Sequence, residues 1–304
     1  MIKISVIVPT FNRADLLPKT VNSVLQQSFS NFELIIVNDG SPDHTDDVIA
    51  EYKDSRINYI KQKNKGLAGA RNTGIENARG SYITWLDDDD QYLPDHLEIM
   101  YDAMEDAGEG YGFAYTSADI VDESGALVTS SKDSQLCLSG DILEYTFFNY
   151  HIIASSMFVR REFFKELRFD PQLRQAEDLD FALHILTKTK ALFVKKSKII
   201  YLQTPGSLGK NHKQNYFKSF VLERFYNEVR RKNILPEKKT RKKIASCYLR
   251  AGNHHLNADR RKAAIYMYRK TVTYQPSSLK AYFKIFQAML KGSDEGPDWE
   301  PLTP

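Results

Sequence analysis

The stretch Phe32-Glu-Leu-Ile-Ile-Val-Asn38 holds four consecutive apolar residues, Leu34 to Val37, and so offers no polar face to solvent. A strand exposed on one side alternates apolar and polar residues, so this one must be covered on both faces, as strands of a parallel sheet are. Three further runs read as strands: Lys3-Ile-Ser-Val-Ile-Val-Pro9, Ile57-Asn-Tyr-Ile60 and Tyr82-Ile-Thr-Trp-Leu86. Helical spacing separates them, from Leu16 to Leu25, from Asp46 to Tyr52 and from Ala68 to Ala78. Ser41-Pro42 supplies a cap and a first-turn proline for the second helix. Strand and helix alternating at this tempo predict a doubly wound α/β layer, which takes its ligands outside the carboxyl ends of the strands.

Those ends carry the polar residues. Pro9-Thr-Phe-Asn-Arg13 follows the first run, Asp39-Gly-Ser41 the second, and Asp87-Asp88-Asp89-Asp90 the fourth. Four adjacent carboxylates repel one another unless something neutralises them. Hard Mg²⁺ or Mn²⁺, held by one or two carboxylates together with phosphate oxygens of a ligand, does so. The rim is therefore expected to be a platform for a metal and a diphosphate.

The chain of 304 residues is 42% hydrophobic and 27% charged, ordinary proportions for a globular protein with a sizeable core. Its two cysteines, Cys137 and Cys247, stand in no metal-ligand spacing and fit a reduced, cytoplasmic setting. The first apolar run is cut short by Pro9, unlike a secretory signal, and no apolar run reaches membrane-spanning length. The net charge of +3 conceals an asymmetry, because residues 210–291 carry 21 Lys/Arg against four Asp/Glu. So basic a block is either a well-solvated helical face or a surface for an anionic partner.

From Tyr111 to about Thr204 the pattern loosens into a strand from Phe113 to Val121, a Glu123-Ser-Gly125 turn and mixed pieces. Beyond Asn215 it is helical. There Tyr248, Gly252, Ala264, Tyr268 and Pro276 match the spacing of a tetratricopeptide unit, with Thr271 where a small residue is usual. One such unit cannot bury its own face, so it needs neighbouring helices or a partner. The expected division is a catalytic domain over 1–209 (nucleotide-binding half 1–110, acceptor-binding half 111–209), a basic helical region over 210–291, and a disordered Gly/Pro/Asp/Glu-rich tail over 292–304.

Five motifs in order carry a family resemblance. They are Val-Ile-Val-Pro-Thr-Phe-Asn-Arg13, Val37-Asn-Asp-Gly-Ser41, Gly66-Leu-Ala-Gly-Ala-Arg-Asn-Thr-Gly74, Leu86-Asp-Asp-Asp-Asp90 with Leu93-Pro-Asp95, and Glu177-Asp178-Leu-Asp180. Together they resemble the inverting family 2 glycosyltransferases, over roughly residues 3–205. The resemblance implies a Rossmann-like fold of the A type with a mostly parallel central sheet, here followed by an all-α segment. It also implies transfer of a hexose or N-acetylhexosamine from a UDP- or dTDP-sugar to an acceptor hydroxyl, plausible in a surface polysaccharide or lipid-linked glycan. Pro9, Thr10, Phe11 and Arg13 would line the donor site, and Asp39 would accept from the imide N–H of the base. Asp87 or Asp88 would take the ribose hydroxyls, and Asp89 the Mn²⁺ or Mg²⁺. Arg71, one turn into a helix opened by Gly66 and Gly69, would favour phosphate. Asp178 would be the base that deprotonates the acceptor, with Glu177 orienting or contacting it. Asp90 is expected to cap the helix beginning near Pro94.

Two other readings compete. A nucleotidyltransferase would carry a Gly-rich loop after the first strand, where Thr10-Phe-Asn-Arg13 has none. A binding scaffold would work through the helical C-terminus and respond to neither nucleotide nor metal. Lys210 and His212, in the Gly-rich stretch from Pro205 to His212, are weak candidates for reaching the departing diphosphate. The aromatics Phe217, Phe220, Phe225 and Tyr226 fit either a face docking on anionic membrane or a packed helical cap. No nucleic-acid-binding motif accompanies the positive charge, so no nucleic-acid partner is expected.

Overall fold

The computed structural model describes residues 2–130, 137–150, 152–203 and 214–290. Among these, residues up to 146 and from 150 to 203 form one compact unit, while Phe147–Asn149 and residues 214–290 form a second. The expected boundary at 209, Lys210, His212 and the 292–304 tail lie outside the described residues.

The first unit runs β1 (Ile4–Thr10), α1 (Leu17–Leu25), β2 (Phe32–Asn38), α2 (Thr45–Ala50), β3 (Ile57–Lys61), α3 (Gly66–Asn77), β4 (Tyr82–Trp85), β5 (Gln91–Tyr92), α4 (His96–Ala107), β6 (Tyr111–Val121), β7 (Leu127–Ser130), α5 (Leu143–Phe148), β8 (Phe158–Arg160), α6 (Glu177–Leu186) and β9 (Lys190–Leu202). Its strands form one sheet in the order β3-β2-β1-β4-β8-β6-β9-β5, with β7 paired to β6. The first four are parallel, and Thr10 lies beside Asn38 and Ile7 beside Trp85. β8 then runs antiparallel to both β4 and β6, whereas β6 and β9 are again parallel to each other. The chain steps from β1 outward to β2 and β3 before returning to the other side of β1 at β4, so the switch point falls at the carboxyl end of β1.

Each face of the parallel half has its own cover. Ile4, Val6, Val8, Leu34 and Ile36 point to one side and pack with Leu17, Val21 and Val24 of α1 and Leu97, Met100 and Met104 of α4. The alternate residues Ile7, Ile35, Val37, Ile83 and Trp85 are equally buried. On their side Trp85 meets Phe169 and Phe181 edge-on, at ring separations of 5.0 and 5.3 Å. Gly74 of α3 sits so close to β1 that a Cβ there would stand 2.3 Å from Ile7 Cγ2.

Two local expectations are corrected. Ser41-Pro42 does not cap α2, which starts at Thr45 behind His44; Asp43 steadies the entry instead, its Oδ1 accepting from the Thr45 N–H (3.2 Å) and hydroxyl (2.6 Å). Asp90 does not cap α4, which starts at His96 behind Asp95; Asp90 is wholly buried elsewhere. The Glu123-Ser-Gly125 turn forms as read, with Asp122 Oδ1 accepting from the N–H groups of Ser124 and Ala126 and Gly125 at φ +82°.

The second unit holds α7 (Gln214–Val229), α8 (Glu237–Asn257), α9 (Arg261–Tyr274) and α10 (Leu279–Leu290). The tetratricopeptide-like positions meet between α8 and α9: Gly252 faces the ring of Tyr268, and Tyr248, Ala264 and Tyr268 are fully buried. Phe220, Phe225 and Tyr226 of α7 are buried too, so these aromatics follow the packing alternative. Buried Glu223 ties three helices together, accepting from the hydroxyls of Tyr248 and Tyr274 and from Lys270 Nζ.

Candidate active site

Parallel pairing brings the chain segments after β1, β2 and β4 to one edge. The Asp39 N–H donates to the Thr10 carbonyl (2.9 Å) and the Phe11 N–H to Asp88 Oδ2 (3.4 Å), so the β1 exit is tied to both neighbours. Pro9 and Thr10 are buried beneath this edge, whereas Phe11 is 46% exposed. Asn12 takes a left-handed conformation, φ 56°, and its N–H is held by Ser41 Oγ at 3.1 Å. Such strain persists only where the surroundings fix it, and it clusters at functional loops.

Asp39 is buried, and its Oδ1 accepts from Gln62 Nε2 (2.6 Å) and the Lys65 N–H (2.8 Å). Gln62 is in turn fixed by the Thr73 hydroxyl at 2.6 Å. Gly40 follows at φ +79°, where a Cβ would press on the Asn64 nitrogen at 3.1 Å. Asp39 is thus both turn former and oriented carboxylate.

The four aspartates separate by environment. Asp90 is wholly buried, accepting from Ser155 Oγ (2.6 Å) and the Leu202 N–H (3.2 Å). Burial, then the charges of Asp87 and Asp89, hold its carboxyl well above the usual carboxylate range. Ser155 also accepts the Asp87 N–H at 3.1 Å, so Asp90 supports Asp87 through one hydroxyl and anchors the end of β9. Burial pushes Asp88 up to about 7, against the pull of Arg13. Asp89 is raised by burial and by Asp87, while Arg13 opposes the shift. The Arg13 guanidinium hydrogen-bonds Asp89 and stands 3.8 Å from Asp88.

Arg71 joins this cluster to α6. Its side chain is 1% exposed, with Nη2 on Asp87 Oδ1 at 2.7 Å and Nη1 on Glu177 Oε1 at 2.8 Å. Its guanidinium also lies over the Phe169 ring, 5.2 Å from the centroid. One buried arginine therefore grips two carboxylates far apart in sequence, and the charges of Asp87 and Glu177 raise its own pKa despite burial. Ala176, at φ 62°, turns the chain so that Glu177 opens α6. Burial pushes Glu177 up to about 7, although Arg71 resists. Asp178 is raised by burial too; Arg71 and a 2.7 Å hydrogen bond from the Leu179 N–H pull it back. Tyr150 stands against it, its phenol raised by burial and then by the Asp178 charge.

The first-half residues Pro9, Thr10, Phe11, Arg13, Asp39, Asp87, Asp88 and Asp89 thus share one rim, and Arg71 draws Glu177 and the adjoining Asp178 to it. Ser155, Tyr150 and Gln62 carry no signal in the sequence. The first two come from an irregular segment between α5 and β8, and Gln62 follows β3 without a motif. Among the described residues no three or more His, Cys, Asp or Glu side chains converge as a metal cage. The donor set suits a hard cation in another way: three partly accessible carboxylates, two with raised pKa values, that favour added positive charge. Mg²⁺ and Mn²⁺ bind in this manner, through one or two carboxylates with phosphate and water completing the shell.

An α/β layer whose acidic rim lies at the switch point of the parallel half of its sheet defines a class of protein that takes its ligands at the strand ends. Within that class, the chain belongs to glycosyl transferase family 2, whose model matches residues 5–168. An uncharacterized glycosyltransferase of Rickettsia conorii is 35% identical over 187 residues, 61% of this chain and 30% of that protein. The uncharacterized glycosyltransferase EpsJ of Bacillus subtilis is 30% identical over 223 residues, 67% of this chain and 62% of its own length. Escherichia coli WcaA, named as a candidate colanic acid biosynthesis glycosyl transferase, is 32% identical over 61% of this chain and 66% of its own. The chain thus spans under a third of the Rickettsia relative. Among solved structures, Staphylococcus aureus TarS 1-349 in complex with UDP-GlcNAc matches with a TM-score of 0.70 at 18% identity, covering 94% of this chain and 89% of that one. The fold is therefore of the A type, with a helical C-terminal segment.

Proposed function

We propose that the protein is a metal-dependent, inverting glycosyltransferase that moves a hexose or N-acetylhexosamine from a UDP- or dTDP-sugar to an acceptor hydroxyl. The observation that carries this reading is the Arg71 fork, which joins Asp87, on the donor side, to Glu177 beside the base candidate Asp178. An inverting transfer needs one carboxylate to take the acceptor proton on the face opposite the leaving group. Asp178 suits that role because its raised pKa makes it a stronger base than an exposed aspartate. Glu177, held by Arg71, orients the acceptor. Thr10, Phe11 and Asp39 bind the nucleoside, with Asp39 rewarding the imide edge of uracil or thymine. Asp87 or Asp88 takes the ribose hydroxyls, and Arg13 attracts the diphosphate. Asp89 holds Mn²⁺ or Mg²⁺, which when bound neutralises charge on the departing nucleoside diphosphate. The UDP-GlcNAc in the TarS complex and the colanic acid role in the name of WcaA support a UDP-sugar donor and a polysaccharide or lipid-linked acceptor.

The test is Asp178→Asn. Transfer to the acceptor is expected to fall roughly a hundred- to ten-thousand-fold, while UDP-sugar affinity measured by calorimetry stays within about twofold. Retained transfer in that variant would remove Asp178 from the chemistry.

A further inference from the structure

Helix α10 is built back to front for a helix that ends in water. Its small residues Ala281 and Ala288 are fully buried, and Ala288 and Ile285 pack with Leu256, Ala264 and Tyr268 of α8 and α9. Its large apolar residues face outward: Leu279 is 82% exposed, Phe283 64%, Phe286 59% and Leu290 71%, with Tyr282 and Met289 about half exposed. At 3.6 residues per turn these six fall in one stripe, about a third of the helix circumference wide. Lys280 falls beside that stripe and Lys284 on the opposite side of the helix, and α10 contains no acidic residue. A stripe this concentrated marks an interaction surface rather than scattered surface hydrophobics.

The charge around it selects the occupant. Residues 210–291 carry 21 Lys/Arg against four Asp/Glu. A second copy of the chain docking through the same stripe would set two such basic surfaces against each other, which repulsion opposes. An anionic bilayer surface offers both complements. Its acyl boundary receives the aromatic and aliphatic side chains, and its phosphates attract lysines whose stems lie along the apolar surface. We infer that α10 lies in the interface of an anionic membrane, with Phe283 and Phe286 immersed and Lys280 at headgroup level. Phe220, Phe225 and Tyr226 of α7 are buried and Phe217 is half-buried, so α10 supplies the main apolar contact.

The experiment is co-sedimentation of the full chain with vesicles of phosphatidylcholine alone and of equal parts phosphatidylcholine and phosphatidylglycerol. The wild-type chain is expected to pellet with the second and stay in solution with the first. The double variant Phe283→Ser, Phe286→Ser is expected to lose roughly tenfold or more in bound fraction. Lys280→Glu is expected to lose roughly fivefold. Circular dichroism separates lost binding from lost helix, since Lys280, Phe283 and Phe286 are all exposed and both variants are expected to keep the wild-type spectrum. The inference is overturned by equal pelleting with neutral vesicles, by no pelleting with anionic ones, or by full binding in the phenylalanine variant. It is equally overturned if the wild-type chain forms a concentration-dependent dimer, by light scattering without lipid, that the phenylalanine variant abolishes.

Discussion

Asp88 and Glu177 show how a residue's surroundings set its chemistry. Both are carboxylates that burial pushes up to about 7, so between the ordinary carboxylate range and neutrality the folded chain holds protons that the unfolded chain has released. Where the native state binds more protons, stability falls as pH rises. The contribution from these two groups is therefore fully present at low pH and lost as pH climbs towards 7. Buried His96, whose pKa is lowered to about 3 by burial, works in the opposite sense below its ordinary 6.5, but it is one group against several raised carboxylates. The melting temperature of the ligand-free protein is expected to drop between about pH 5 and pH 7.5, and Asp88→Asn is expected to flatten that slope. A variant whose melting temperature follows the same slope as wild type would show that Asp88 ionises normally. Asp39 and Asp87 to Asp89 stood out in the sequence because polar clusters at strand ends are readable there. Asp90 did not read correctly: which of four identical neighbours turns inward depends on Ser155 and the Leu202 N–H, which the sequence places 65 and 112 residues away.

Among the elements, α3 does the most to shape the site. It carries buried Arg71 to Asp87 and Glu177 and seats Gly74 against β1, with no room for a methyl group beside Ile7. Gly74→Ala is expected to destabilise the protein by about 1–3 kcal/mol through this overlap. Because Arg71 is three residues earlier on the same helix, donor affinity in Gly74→Ala is expected to weaken as well. Urea denaturation and nucleotide titration check the two effects. A stable variant with normal affinity would mean that α3 shifts without consequence for the fork. Gly74 was only the last residue of a motif in the sequence, and in the fold it is where the helix backbone approaches β1. Helical spacing identifies a helix but not its partner, since the same small residue suits a strand or a ligand.

Across the whole molecule, the parallel half of the sheet and the rim were readable because both depend on local patterns: unbroken apolar runs and polar strand ends. The family reading implies a test at this scale. UDP with Mn²⁺ is expected to stabilise the folded chain by about 2.7 kcal/mol at a hundredfold excess over its dissociation constant, and UDP alone by much less. Equal stabilisation with and without the ion, followed by scanning calorimetry, would argue against a metal at Asp89. No described helix is long and apolar enough to cross a membrane.

By itself, then, the sequence determined that β1 to β4 and β6 are strands, which strand ends carry acids, and that residues from Asn215 to Leu290 are helical. Each of these follows from residues a few positions apart, whose periodicity is set by backbone geometry. Only the tertiary structure decided that Arg71 would be shared between Asp87 and Glu177, that Ser155 would brace the aspartates, and that the buried side of α10 would be its small one. Those outcomes depend on which distant side chains compete for the same space and charge, and a linear pattern does not record that competition.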